Sequence, residues 1–126
     1  AREGFGVLYA RLSRLLDDLA TARLAGADGR LMRRLAKVDL LILDDWAMTD
    51  LTAPQRRDVM EIVDDRYDRR SIILATQVPV DRWHDMIGDP TYADAILDRI
   101  VHNANRVELQ GESLRKTRTV AMAAPN

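Results

Sequence analysis

Four consecutive aliphatic residues, Leu40-Leu41-Ile42-Leu43, stand between Asp39 and the acidic pair Asp44-Asp45. No other feature constrains the chain as much. The run is short for a helix and apolar at every position, so neither of its faces suits water. That is the pattern of a strand covered on both sides, as in a parallel sheet between helices. Ser71-Ile72-Ile73-Leu74-Ala75-Thr76 is a second run of the same kind. Enough chain separates the two for the crossover that parallel strands need.

Helical periodicity fills the intervals. Leu12, Leu15, Leu16 and Leu19 predict an amphipathic helix over about residues 10–25, ended by Gly26 and Gly29. Leu31 and Leu35 fit a short helix over 30–36. Thr52 can cap the next helix, Gln55 completes a capping box, and Pro54 is tolerated in the first turn. Its buried stripe would be Val59, Ile62, Val63 and Tyr67. Pro79 stops any helix running through it, and Asp81–Met86 read as a short helical turn. A helix from Asp89-Pro90 would turn Ala93, Ile96 and Ile100 inward. Gly6–Tyr9 and Asn105–Leu109 read as short strands, the second ended by Gly111, and Ala121–Asn126 as a frayed end. The alternation predicts an α/β domain with a mostly parallel sheet flanked by helices. One domain is expected over residues 1–118, with a tail over 119–126.

At 126 residues and 47% hydrophobic, the chain can bury a single core. The absence of cysteine excludes a disulfide scaffold and a cysteine-ligated zinc site. Two histidines, His84 and His102, are too few for a histidine metal cluster. No apolar run is long enough to cross a membrane, so a cytoplasmic protein is expected. The net charge of −1 hides an uneven distribution. Residues 1–38 carry eight basic and four acidic groups, 39–98 carry six and fourteen, and 99–126 carry five and two. An acidic middle between basic flanks suits a metal or nucleotide site with phosphate-binding surroundings. Solvated helix faces give the same counts. Arg30, Arg33, Arg34 and Lys37 present the same choice, a DNA-tracking patch or a solvated face. Trp46 and Trp83 read as packing residues.

Ligands of open α/β sheets sit beyond the carboxyl ends of the strands. Both apolar runs end in polar groups there: Asp44-Asp45 on one, Thr76-Gln77 on the other. Paired carboxylates on a rigid strand suit Mg²⁺, which takes oxygen ligands and keeps several waters. Thr and Gln each offer a donor and an acceptor to a phosphate or a water. Asp is also a common turn residue, so a strand end leading into a turn accounts for the pair equally.

Asp39-Leu-Leu-Ile-Leu-Asp44-Asp45-Trp46 resembles the Walker B strand of AAA+ ATPases. The nearest likeness is to the IstB-like transposition helper ATPases of bacterial insertion sequences, relatives of the DnaC helicase loader. Arg70-Ser71-Ile-Ile-Leu-Ala-Thr76-Gln77-Val-Pro79 resembles the sensor 1 strand of that family. Trp83-His84, Ala95-Ile-Leu-Asp98-Arg99 and Gly111-Glu-Ser113-Leu-Arg115 match further segments in order, so the likeness covers roughly residues 5–118.

The resemblance implies a P-loop NTPase of AAA+ type that uses ATP and Mg²⁺, binds duplex DNA, self-associates and assists a transposase. By it, Asp44 would hold Mg²⁺ through a water and Asp45 would polarise the attacking water. Gln77 would meet the γ-phosphate, with Thr76 beside it. Arg99 would be an arginine finger reaching a neighbouring subunit, and Arg115 a nucleotide or DNA contact. The pattern departs from the family at one large point: no Gly-x-x-x-x-Gly-Lys-Ser/Thr loop occurs. The chain therefore reads as the later part of an AAA+ core, incomplete at its N-terminus and inactive alone. A missing central strand would leave an open edge beside the two apolar strands and favour self-association through the sheet. A helicase-loader-like ATPase of the DnaC type is the near alternative, and two further readings fit parts of the chain. In a response-regulator receiver domain Asp44 would be the phospho-acceptor. A non-enzymatic interaction module would keep only the half fold.

Overall fold

The computed structural model describes residues 4–101, 104–110 and 117–123. In chain order the elements are β1 (Val7–Arg11), α1 (Leu12–Leu24), α2 (Asp28–Lys37), β2 (Leu40–Asp44), α3 (Ala53–Arg66) and β3 (Ser71–Thr76). A 3-10 turn over Val80–Arg82 leads into α4 (Trp83–Ile87), followed by α5 (Pro90–Val101), β4 (Ala104–Gln110) and β5 (Thr117–Ala123). The strands form one sheet in the order β1-β2-β3-β5-β4. The first three are parallel, with Leu8, Leu41 and Ile72 in register, and β5 and β4 add an antiparallel hairpin. The α/β reading therefore holds, with a three-stranded parallel part flanked by helices. Order and direction both differ from the 2-1-3-4-5 parallel sheet of receiver domains.

Two expectations need correction. Residues 117–123, partly assigned to a frayed tail, form β5, which pairs with β3 from Ile72↔Ala123 to Thr76↔Thr119. That pairing also removes the open edge. β2 lies between β1 and β3, and the far side of β3 is taken by β5. Unpaired backbone N–H and C=O groups are costly to bury, and here the chain's own C-terminal strand satisfies them. The argument for self-association through a sheet gap falls with it.

Burial of the parallel strands is also less even than the apolar runs imply. Leu41, Leu43, Ile72 and Leu74 are buried, whereas Ile42 and Ile73 are half-buried and Tyr9, in register with them, is exposed. The buried helix stripes all meet one face of the parallel strands, and the other face is less covered. The core joins that covered face to Leu12, Leu15, Leu16 and Leu19 of α1, Val59, Ile62 and Val63 of α3, and Ala93, Ile96 and Ile100 of α5. These are the stripes read from periodicity, except that Tyr67 caps α3 and is partly exposed. The capping box forms as expected, with Thr52 accepting from the Gln55 N–H and Gln55 accepting from the Thr52 N–H.

At the amino ends of β2 and β3, the buried Arg66 donates to four carbonyls. They are Leu35 (2.7 Å), Val38 (2.8 Å), Asp39 (3.1 Å) and Ser71 (3.2 Å from Nε). One guanidinium thus ties the end of α2 to the starts of both strands. Burial pushes its pKa down to about 10, Arg70 acts in the same direction, and Asp39 opposes them. It remains charged at neutral pH. Asp58, also buried, is matched by Arg23 at 2.7 Å.

Candidate functional site

At the opposite, carboxyl ends of the parallel strands lies an acidic rim. β1 ends at Arg11, β2 at Asp44 and β3 at Thr76, and Arg11 and Asp44 are in register. Because β2 is held on both edges, its last residue is delivered to the rim at a fixed place. The Asp44 carboxylate is held at both oxygens. Its Oδ1 accepts the Asp45 N–H at 2.9 Å, and its Oδ2 accepts the Tyr9 hydroxyl. The bond to Asp44 raises the pKa of Tyr9 above its ordinary 10.0, with Arg11 opposing. Ionising the phenol would place a second negative charge against the carboxylate.

The chain then turns sharply. Asp45 has φ 56° and Ala47 has φ 69°, both in the left-handed region. Asp tolerates that conformation better than most residues, whereas Ala pays for it. The turn is held by Trp46, whose N–H donates to the Ala75 carbonyl at 3.1 Å. Its indole is fully buried edge-on to Trp83, with ring centroids 5.8 Å apart. Both tryptophans are therefore packing residues. The indole Nε1 of Trp46 is buried with no hydrogen-bond acceptor among the described residues. With the backbone reversed here, the Asp45 side chain is partly exposed, and one oxygen lies 3.8 Å from Arg11 Nε. Asp45 borders a cleft of about 120 Å³ shared with Ser13, Met48, Thr49 and Gln55. That is smaller than pockets that enclose a small-molecule ligand.

Thr76 does not face this rim. Its side chain is buried, donates to the Trp46 carbonyl and accepts the Val78 N–H at 3.0 Å. A contact between this hydroxyl and a ligand is thus corrected to a structural role, tying the turn after β2 to the turn after β3. Gln77 follows it and is exposed. Arg99 lies elsewhere. It is held on α5 by Asp64 (Nε–Oδ1 2.7 Å) and the Ala95 carbonyl (3.0 Å), with its guanidinium 5.8 Å from the Tyr67 ring centroid. Arg115 and His102 lie outside the described residues. His84 is exposed and 3.3 Å from Asp94.

The structure therefore gathers Asp44 and Asp45 with Tyr9 and Arg11, two residues that sequence reasoning missed. The available signal was alternation in β1: Tyr9 and Arg11 are two apart, so they share a face at the end of the strand beside Asp44. Among the described residues, no three His, Asp or Glu side chains are grouped to hold a metal by themselves. No helix among them is long and apolar enough to cross a membrane.

Comparison with known proteins agrees with this architecture. Residues 1–121 match the family model described as IstB-like ATP binding protein. An insertion sequence ATP-binding protein of Sinorhizobium fredii is 56% identical over 115 residues, which are 91% of this chain and 47% of that protein. A second from the same organism is 47% identical over 120 residues, 95% of this chain and 48% of the relative. An ATP-binding protein in an insertion sequence of Mycobacterium tuberculosis is 33% identical over 116 residues, 91% of this chain and 46% of the relative. The chain thus spans about half the length of these curated relatives. A match of this extent, over a sheet that carries its acidic pair at the carboxyl rim, places the chain in a family: it belongs to the IstB-like ATP-binding proteins.

Proposed function

We propose that the chain is the catalytic-rim part of an ATP-hydrolysing transposition helper. Together with a phosphate-cradling segment it would bind ATP and Mg²⁺, assemble on duplex DNA as a homo-oligomer and assist a transposase. The observation that carries this reading is the rim itself. An apolar strand fixes one carboxylate, and the strained turn after it offers a second to solvent.

The donor set suits Mg²⁺ in its usual nucleotide-bound mode, one or two carboxylates completed by phosphates and waters. Asp44 would hold the ion. Its two oxygens already accept hydrogen bonds, and a carboxylate oxygen can take more than one partner. When bound, the ion would neutralise charge on the β- and γ-phosphates. Asp45, partly exposed and bordering the cleft, would orient the attacking water. Gln77, exposed just beyond β3, would contact the γ-phosphate or that water. Arg99 would serve a neighbouring subunit's nucleotide, which requires exchanging Asp64 for phosphate.

No Gly-x-x-x-x-Gly-Lys-Ser/Thr loop is present in this sequence, and positioning supplies most of phosphoryl-transfer catalysis. This chain alone should therefore turn over ATP at background rates. The test uses the chain extended to the length of its relatives. Asp45→Asn should abolish hydrolysis while leaving ATP binding largely intact. Arg99→Ala should also abolish it, and mixing the two inactive variants should restore part of the activity. Loss of binding with Asp45→Asn would remove its catalytic role. No recovery on mixing would remove Arg99 as a residue acting across subunits.

A further inference from the structure

Helix α2 carries cations that nothing in the described structure uses. Arg30, Arg33, Arg34 and Lys37 recur at helical spacing, so they share one face, opposite the buried Met32 and Leu35. All four are exposed, and none has a hydrogen-bond or ion-pair partner among the described residues. Several other arginines contrast with them: Arg11 meets Asp45, Arg14 meets Asp18, Arg23 meets Asp28 and Asp58, Arg70 meets Asp39, and Arg99 meets Asp64. Arg57, Arg69 and Arg82 also lack an ion-pair partner among the described residues, but they are dispersed over α3, the turn after it and the 3-10 turn and form no such stripe. Nor is the stripe needed to satisfy the helix end. Arg66 already donates to the Leu35 and Val38 carbonyls there, and adds its own buried charge. The four side chains and Val38 line one shallow open hollow. Arg33 also borders a second hollow that includes Arg69 and Arg70, together with the acids Glu61 and Asp65.

Four unneutralised cations within about 10 Å of helix repel one another, and a dense line of anions relieves that repulsion. Duplex DNA carries roughly one charge per 1.7 Å of axis. Single strands are usually gripped by aromatic side chains stacked on bases, and no aromatic residue occurs between Tyr9 and Trp46.

We propose that the α2 stripe is a docking surface for the phosphate backbone of duplex DNA, at the end of the strands opposite the acidic rim. This deepens the proposed function and rests on its DNA partner. Arg66 bonds the end of α2 to Asp39 and Ser71, where β2 and β3 begin. Asp44 closes the other end of β2, about 17 Å away for a five-residue strand. Phosphates of DNA and phosphates of a nucleotide would thus be held at separate ends of one sheet.

The test is fluorescence anisotropy of this chain with a short random-sequence duplex across a salt series. Four phosphate contacts predict that log K falls with log salt at a slope of about −3 to −4. Replacing Arg30, Arg33, Arg34 and Lys37 together by Gln should weaken low-salt binding at least about tenfold and flatten that slope. Replacing Arg30, Arg33 and Arg34 by Lys should keep most of the binding, because a phosphate backbone reads charge. A control that replaces the exposed Arg14, Arg57 and Arg82 by Gln should stay within about threefold of wild type. Circular dichroism and urea unfolding establish that each variant is folded. Undiminished binding by the stripe variant would overturn this surface while leaving the DNA partner standing. No duplex binding by the wild-type chain would overturn both. A preference for single strands over duplex would overturn the occupant.

Discussion

The two ends of the parallel strands are built to opposite rules. At the amino ends, a buried guanidinium satisfies four carbonyls, and the end of α2 is locked to β2 and β3. At the carboxyl ends, Asp45 and Ala47 both sit at positive φ, against Asp68 alone before β3 at the amino ends, an indole N–H is buried without an acceptor among the described residues, and a carboxylate stands partly in solvent. Strain and incomplete pairing persist only where surrounding structure enforces them, and they concentrate at functional sites. The difference teaches where stability and chemistry are separated. One end holds the sheet together, and the other spends part of that stability to present carboxylates.

The sharpest way to break this comparison is to remove its two charged centres in turn. Arg66→Met leaves four carbonyls without their donor, each worth about 1–3 kcal/mol when buried, partly offset by relief from burying a charge. A net loss of about 3 kcal/mol or more is expected from urea unfolding followed by tryptophan fluorescence. Arg66→Lys should fall between, since an ammonium cannot reach all four carbonyls in the guanidinium's planar arrangement. Asp45→Asn should change stability by less than about 0.5 kcal/mol. Its partner Arg11 is 3.8 Å away and exposed, and Asn accepts positive φ as readily as Asp. Equal losses at Arg66 and Asp45 would erase the division between the two ends.

Thr76 tests whether the rim has a structural backing of its own. Its hydroxyl joins the Trp46 carbonyl to the Val78 N–H, so it links the two turns that carry Asp45 and Gln77. Thr76→Val keeps the shape and removes both bonds, for an expected loss of about 1–2 kcal/mol. Thr76→Ser keeps the hydroxyl and should lose about 1 kcal/mol or less, for one methyl group. If the two variants are equally stable, the hydroxyl is not what holds the turns together.

How far the sequence foretold this division varies by position. The apolar runs at 40–43 and 71–76, the capping box at Thr52 and the inward positions of α1, α3 and α5 were all legible, because each rests on local periodicity or local bonding. The one-sided burial of β2 was not, since an apolar residue shows its preference and not how much cover its neighbours supply. β5 was missed because Thr117–Ala123 gains its role from pairing with β3, 43 to 51 residues earlier. That Asp44 and Asp45 stand at a strand end was legible from the apolar run before them. That the Thr76 side chain is buried was not, although strand alternation accounts for it, and Gln77 after it is exposed. Tyr9, Arg11 and Arg66 act through contacts at least 25 residues distant in sequence in most cases, which no local pattern encodes.

The smallest effect concerns the hydrogen bond from Tyr9 of β1 to Asp44 at the rim. Neutral Tyr9 donates to Asp44, and ionisation removes that proton and sets two negative charges together. Its folded pKa is therefore raised above 10.0, chiefly by Asp44, with Arg11 partly offsetting the shift. The sign follows directly. Below pH 10 the phenol is neutral in both folded and unfolded chains, and the contribution of this bond is fully present. As pH rises through the folded pKa, the contribution is lost. Tyrosinate absorbance of wild type, minus that of Tyr9→Phe, isolates this one group among three tyrosines. Its midpoint should lie above pH 10, and Asp44→Asn should bring it down. A midpoint at or below 10 in wild type would mean that Asp44 does not hold the phenol in solution. The rim would then be looser than its geometry implies, and the contrast with the clamped amino ends would be greater still.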